Sequence, residues 1–267
     1  MLLVSVIVRY DEWGRMGNRM FQYAFGYILA KQRGVKLFAP ALPNFGITET
    51  PFYHFKCADG TSNDKRIYTR SFGSQRADWS ALLAAPAETT IIVDSYLQRA
   101  EYYVNHQEEL RQAFSIVKVE PKNTDALVVH VRETDYKDMG LFLGYDFYKQ
   151  AIKDSGFSKI ILITDNSQCE TVQKLIADGC LLHTEGYVNK FTHACDERGI
   201  MDFICLLQSA NILLSQSSFS WWAAFLGNHE KVIFPYKESG GMWKCNPGPE
   251  DIDLFINAPN FLKYTLP

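Results

Sequence analysis

The sequence contains no C-x-x-C pair, no N-x-[ST] sequon, no Gly-Lys dipeptide and no G-x-S-x-G elbow. It also has no low-complexity tract, no internal repeat and no apolar run of the ~20 residues a membrane-crossing helix needs. Without Gly-Lys there is no Walker-type phosphate loop, and without the elbow no serine-hydrolase nucleophile. Cys57, Cys169, Cys180, Cys195, Cys205 and Cys245 are widely spaced, several of them inside apolar runs, and read as buried thiols of a reducing compartment. The group Cys180, His183, His193 and Cys195 suggests zinc at first sight. Cys180 and His183, however, lie three apart on a strand-like run and so face opposite sides, and no metal is expected. An excess of basic charge is missing too. With 27 basic and 30 acidic side chains and a net charge of -3, no positive field exists to attract a polyanion, and no nucleic-acid partner is expected. The opening run to Arg9 is of strand length, with neither a basic leader nor a small-residue cleavage site, so a soluble cytoplasmic protein without membrane insertion is expected.

What is present is ordinary globular material: 267 residues, 47% hydrophobic and 21% charged, enough for one large domain or two small ones. Apolar runs rich in β-branched residues predict strands at 2–8, 35–39, 89–96, 126–132, 159–165, 180–185, 211–217 and 231–235. Helical patterns fall between them. Met20, Phe21, Ala24, Phe25, Ile28 and Leu29 form a stripe ending near Gly34, and further helices are predicted at 99–113, 145–154, 167–178, 200–210 and 218–228. Such alternation predicts an α/β fold with parallel sheets covered on both faces. The alternation breaks at 40–88, where only a short helix near 78–85 is expected, and again at Lys118 to Asp125, a polar proline-bearing linker. Two α/β domains follow, 1–120 and 121–267.

Ligands of open parallel sheets sit beyond the carboxyl ends of the strands, so the residues just after each apolar run are the candidates. After the first strand come Gly14, Arg15, Met16, Gly17, Asn18 and Arg19, a glycine-bearing turn into a helix whose start favours an anion. The plainer reading makes Asn18 the helix N-cap. At 127–136 an apolar strand finishes with His130 and Arg132 on one face, followed by Asp135. An arginine fork suits a diphosphate, and Asp135 can anchor that fork or take a proton. Equally, Arg132 and Asp135 can be an ion pair that locks the loop, with His130 a core residue. At 215–220 four serines surround Phe219 at the start of a helix, where Ser217 and Ser218 can cap it or face a phosphate. Asp165 ends another strand, able to accept from a base or ribose or to cap the next helix with Asn166. Trp221 and Trp222 read as core, and Asp251 to Asp253 as a solvated loop.

Four segments together resemble the inverting α-1,2-fucosyltransferases of glycosyltransferase family 11. They are Gly14 to Ala24, Tyr96-Leu97-Gln98 with Tyr102-Tyr103, His130 to Tyr136, and Ser217 to Leu226. The resemblance spans most of the chain, and four motifs in order are specific where each alone is modest. It implies a GT-B fold, two Rossmann-like α/β domains with a cleft between them, and a metal-independent transfer of L-fucose from GDP-fucose to the 2-hydroxyl of a galactoside. GDP-fucose would be the donor substrate, with no cofactor and a glycan acceptor, at a location cytoplasmic or peripheral to membrane glycan assembly. Arg132, Asp135 and Asn18 would be the catalytic residues. Gly14, Arg15, Gly17, Arg19, His130, Asp165, Ser217, Ser218 and Phe219 would bind substrate. The chain departs from the family pattern in having Glu133 where a second arginine is usual, and Arg19 where a glutamine is. Arg19 is expected to supply the missing charge, and Asp11, Glu12 and Asp135 are the candidate general bases.

Overall fold

The computed structural model describes residues 5–10, 15–50, 65–73, 76–116, 120–138, 141–183, 197–236 and 252–265. The chain divides into two compact units, the first running to Ser115 and the second beginning at Ile116. Lys122 already belongs to the second unit. It pairs in parallel with Ser209, and its carbonyl accepts from the Ala210 amide at 2.8 Å.

The first unit holds a four-stranded sheet ordered β2-β1-β4-β3, all pairs parallel. Its strands are β1 (Ser5–Val8), β2 (Lys36–Phe38), β3 (Arg66–Tyr68) and β4 (Thr90–Val93). The apolar stripe predicted from residue 20 onward is the inner face of helix α1 (Met16–Arg33), with Met20, Phe21, Ala24, Phe25, Ile28 and Leu29 all buried. Gly26 lets α1 lie close on the sheet, since a Cβ there would stand 2.5 Å from Val8 Cγ2. Gly34, at φ +64°, ends the helix in the left-handed conformation that glycine adopts without strain. Helix α2 (Trp79–Ala84) matches the short helix expected near 78–85, with Asp78 capping it by accepting from the Ala81 amide at 2.9 Å. The single helix expected at 99–113 is instead two 3-10 turns, Ala100–Tyr102 and Val104–His106, followed by α3 (Gln107–Ala113). Two adjacent tyrosines cause the break. Tyr102 packs edge-on against Phe25 while Tyr103 packs on Phe21, so both rings reach α1 at once.

The second unit holds six parallel strands: β5 (Ala126–Val131), β6 (Lys159–Thr164), β7 (Leu181–Leu182), β8 (Asn211–Leu213), β9 (Lys231–Tyr236) and β10 (Phe261–Thr265). Helices α4 (Thr134–Asp138), α5 (Gly144–Ser155), α6 (Glu170–Ala177), α7 (Glu197–Gln208) and α8 (Ser218–Leu226) complete it. Read from one edge the order is β7-β6-β5-β8-β9-β10. Numbered within the unit, that is 3-2-1-4-5-6, the Rossmann order, in which the winding reverses between the first and fourth strands. The expected fold class, α/β with two Rossmann-like units, is therefore what the chain adopts. Leu127, Val129, Leu162 and Leu213 fill the core between sheet and helices, together with Phe147, Tyr148 and Val172. Trp221 and Trp222 are wholly buried as expected, the Trp221 indole donating to the Leu254 carbonyl at 2.6 Å.

Candidate functional site

The reversal of winding in the second sheet falls between β5 and β8, so the carboxyl ends of those two strands form the natural ligand crevice of this unit. His130 from β5 and Ser215 just after β8 meet there, His130 Nδ1 lying 2.7 Å from Ser215 Oγ. Phe219, in the first turn of α8, stacks on the imidazole at 5.4 Å between centroids, and Phe203 of α7 meets Phe219 edge-on. His130 is 4% exposed. Burial, which disfavours the charged ring, pushes its pKa down from 6.5 to about 4, with the Asp165 charge acting in the opposite sense. The ring is therefore a neutral imidazole at pH 7. It can donate or accept one hydrogen bond on the side away from Ser215.

Arg132 follows β5 and is tightly held. Its two terminal nitrogens reach different carboxylates, NH2 to Asp135 Oδ1 at 2.5 Å and NH1 to Asp165 Oδ2 at 2.6 Å. Its guanidinium also lies over the Tyr136 ring, 5.1 Å from the centroid. Thr134 ties the two acids together, its hydroxyl within bonding distance of Asp135 Oδ1 at 3.0 Å and of Asp165 Oδ2. Asp165 Oδ1 lies 3.4 Å from the Glu133 amide. Asp165 thus serves the β5 loop and caps no helix. Asn166 takes the local turn by accepting from the Gln168 amide, and α6 starts only at Glu170. Glu133 is 6% exposed and shares a hydrogen bond with the Cys169 thiol, whose pKa burial and this neighbour push up to about 12. One oxygen of Glu133 is buried without a partner. The arrangement sets one guanidinium among three carboxylates.

The serines divide their work. Ser217 is the N-cap of α8, its hydroxyl accepting from the Phe219 amide at 3.3 Å. Ser220 donates back to the Ser217 carbonyl at 3.1 Å. Ser215 meets His130, and Ser218 is half-buried on the first turn. Ser217→Ala is expected to cost about 1 kcal/mol through the lost cap, measured by urea unfolding. A loss of ligand affinity beyond that would give the Ser217 hydroxyl a second task.

In the first unit the winding reverses between β1 and β4, and α1 starts beside that point. Arg15, exposed, occupies the N-cap position of α1 without a side-chain capping bond. The plainer reading of Asn18 is thereby corrected: it is the third helical residue, and its Oδ1 accepts from Gln98 Nε2 at 2.9 Å. Gly17 is buried in the first turn, and the Arg19 guanidinium stands over the Tyr10 ring at 5.6 Å. Gly14, Asp11 and Glu12 lie outside the described residues. Cys57, Cys195, Cys245, His193 and Asp251 lie outside them as well, while Asp253 is exposed. His183 pairs with Asp202 at 3.1 Å, and among the described residues no group of His, Cys, Asp and Glu is arranged to hold a metal ion. No helix among the described residues is long and apolar enough to cross a membrane.

The structure therefore gathers His130, Arg132, Asp135, Asp165, Ser217 and Phe219 at one sheet edge. It adds Ser215, Thr134 and Cys169, which sequence reasoning had not singled out. Ser215 was findable: it lies just past an apolar run, in the segment the carboxyl-end criterion marks. Nothing local announces Cys169.

No protein-family model matches the chain, and no curated protein matches it. Among solved structures it is similar to the fucosyltransferase NodZ from Bradyrhizobium, at 13% identity and a TM-score of 0.47, over 86% of this chain and 94% of that one. POFUT1 in complex with GDP-fucose is similar at 9% identity and a TM-score of 0.45, over 86% and 95%. The E. coli heptosyltransferase WaaC with ADP is similar at 14% identity and a TM-score of 0.46, over 98% and 93%. At these identities and scores the roles of residues come from the chain's own geometry.

Proposed function

We propose that the chain is a metal-independent, inverting glycosyltransferase of the GT-B type that moves L-fucose from GDP-fucose to the 2-hydroxyl of a galactoside. The observation that carries this reading is the crevice at the winding reversal of the second sheet. There a neutral buried imidazole, a helix N-terminus and a rigidly held guanidinium stand at one edge. The motif resemblance of His130 to Tyr136 and of Ser217 to Leu226 supports it, as does the fucosyltransferase character of the NodZ and POFUT1 proteins. The diphosphate belongs on the second unit, with the acceptor on the first. In transfer a hydroxyl attacks the anomeric carbon while GDP leaves, and negative charge grows on the β-phosphate. Arg132 and the first turn of α8 are the donors able to meet that charge. Asp135, which aligns the arginine fork, is also the nearest carboxylate to act as a base, and Asp165 holds the fork from the other side. The boundary near residue 120 is the proposed seam between an acceptor domain and a donor domain.

A second reading rests on one specific observation. The charge of Arg132 is already offset by Asp135 and Asp165, with Glu133 close by, a balance that suits an uncharged saccharide in a non-catalytic binding protein or another nucleotide sugar. Thermal unfolding with GDP, UDP and ADP separates the readings. A ligand present at a hundred times its Kd stabilises by about 2.7 kcal/mol, and GDP is expected to raise Tm most. No rise with any nucleotide would leave the saccharide reading standing, while fucose transfer to a galactoside would end it.

A further inference from the structure

The loop after β4 contains a non-glycine residue in the left-handed region, Leu97 at φ +55°, and it is completely buried. Such a backbone persists only where its surroundings hold it, and it is found where positioning matters. The hold is visible. The Leu97 carbonyl accepts from the Arg99 amide at 2.9 Å and from the Tyr103 hydroxyl at 2.8 Å. Tyr103 is itself fully buried, its ring against Phe21 of α1 and its hydroxyl 3.3 Å from the Phe21 carbonyl. The strained residue is thus clamped to α1, and the next residue, Gln98, is 3% exposed. Its side-chain amide donates to Asn18 Oδ1 in the first turn of α1 at 2.9 Å. One helical turn further, buried Gln22 donates to the Arg9 carbonyl at 3.0 Å, at the carboxyl end of β1. Both strands that flank the winding reversal of the first sheet are therefore tied to α1 by side-chain amides.

We infer that Gln98 is a positioning residue: held by the strained Leu97 and the Tyr103 hydroxyl, it fixes the Asn18 amide so that Asn18 presents its NH2 to an oxygen of the acceptor saccharide. The inference rests on the proposed function for the identity of the ligand, and on the geometry alone for the orientation of the amide. The chemistry is directional. An Asn18 oxygen engaged by a donor leaves the nitrogen as the recognition end, a donor suited to a hydroxyl or ring oxygen. Glutamate at 98 reverses the pair, because a carboxylate accepts only and must be met by the Asn18 nitrogen. Asn18 then offers its oxygen to the ligand instead.

The test uses the full chain with GDP-fucose and a galactoside. Gln98→Glu is expected to lower kcat/KM for the acceptor about a hundredfold, the scale of misplacing a binding group by ~1 Å. Its GDP affinity should stay unchanged, and part of the activity should return as the pH falls and the new carboxyl protonates into a donor. Asn18→Asp should lose a similar factor. Adding Gln98→Leu to Asn18→Asp should then cost little more, since the second change removes the orientation of a group already lost. Tyr103→Phe should give a smaller loss in the same parameter. Additive losses, or equal effects on GDP and acceptor, would overturn the inference. If the wild-type chain binds no GDP and transfers nothing, the proposed function fails by itself. The orientation is then read from the Asn18 side-chain amide resonances: a single fixed pair in the wild type that shifts or averages in Gln98→Leu supports it, and an unchanged pair overturns it.

Discussion

Arg132→Ala is expected to abolish transfer and, unlike a plain loss of a ligand contact, to weaken the fold at the same time. The guanidinium is 12% exposed and spans Asp135 and Asp165, which are 33% and 19% exposed. Removing it leaves these two carboxylates and Glu133 close together with no cation between them. Breaking a buried pair from one side costs about 3–5 kcal/mol, and partial exposure of the acids places this case nearer 2–3 kcal/mol. The chemical loss is separate. A donor aimed at developing charge is worth about a hundredfold or more in rate. Arg132→Lys separates the two contributions. Lysine restores the charge but not a fork able to bridge two acids, so about half the stability should return while transfer stays low. Urea unfolding and a GDP-fucose transfer assay on both variants provide the measurement. Turnover retained by Arg132→Ala would remove this residue from the mechanism and leave it as the lock of the β5 loop.

Most of the sheet framework was legible because parallel strands are buried on both faces and read as continuous β-branched runs. β1, β4, β5, β6 and β9 all lie within or beside the segments predicted for them. The strands that escaped are edges. β3 is three residues long, and β10, Phe261–Thr265, pairs only with β9 and exposes Leu262 and Lys263, so neither carries a buried run. The site was legible to the extent that strand ends mark it. His130, Arg132, Asp165 and Ser217 each follow an apolar segment, and a parallel sheet brings all such ends to one edge. What the pattern cannot encode is pairing at a distance. That Arg132 reaches past Asp135 to Asp165, 33 positions on, follows from β5 and β6 lying in register, with Val131 beside Thr164. Likewise the four serines suggest a phosphate cradle in sequence, whereas three of them turn out to be engaged with His130, a helix cap and a neighbouring carbonyl. Asn18 failed as a cap for the same reason: its oxygen is taken by Gln98, 80 residues away.

His130 should make the protein lose stability on mild acidification, and the sign follows from its burial. Its pKa in the folded chain lies near 4, against 6.5 when exposed. Between those values the unfolded chain binds a proton that the folded chain refuses, so stability rises with pH across this window. The contribution is complete above pH 6.5 and is lost as pH falls toward 4, amounting to about 3 kcal/mol at 1.36 kcal/mol per pH unit. His130→Gln keeps a group able to bond Ser215 but has no proton to gain. The difference in unfolding free energy between wild type and variant should therefore be constant above pH 7 and should shift by up to about 3 kcal/mol in favour of the variant by pH 4.5. Denaturant unfolding of both proteins across this range reads the difference directly, and the remaining histidines cancel in the subtraction. The same neutrality bears on the chemistry. An uncharged imidazole stacked on Phe219 and steadied by Ser215 can offer a departing phosphate a single oriented hydrogen bond without bringing a titrating charge into the crevice. A pH-independent difference would show that the ring is solvated or charged in the folded chain, and the hydrogen-bonding role drawn from its burial would fall with it.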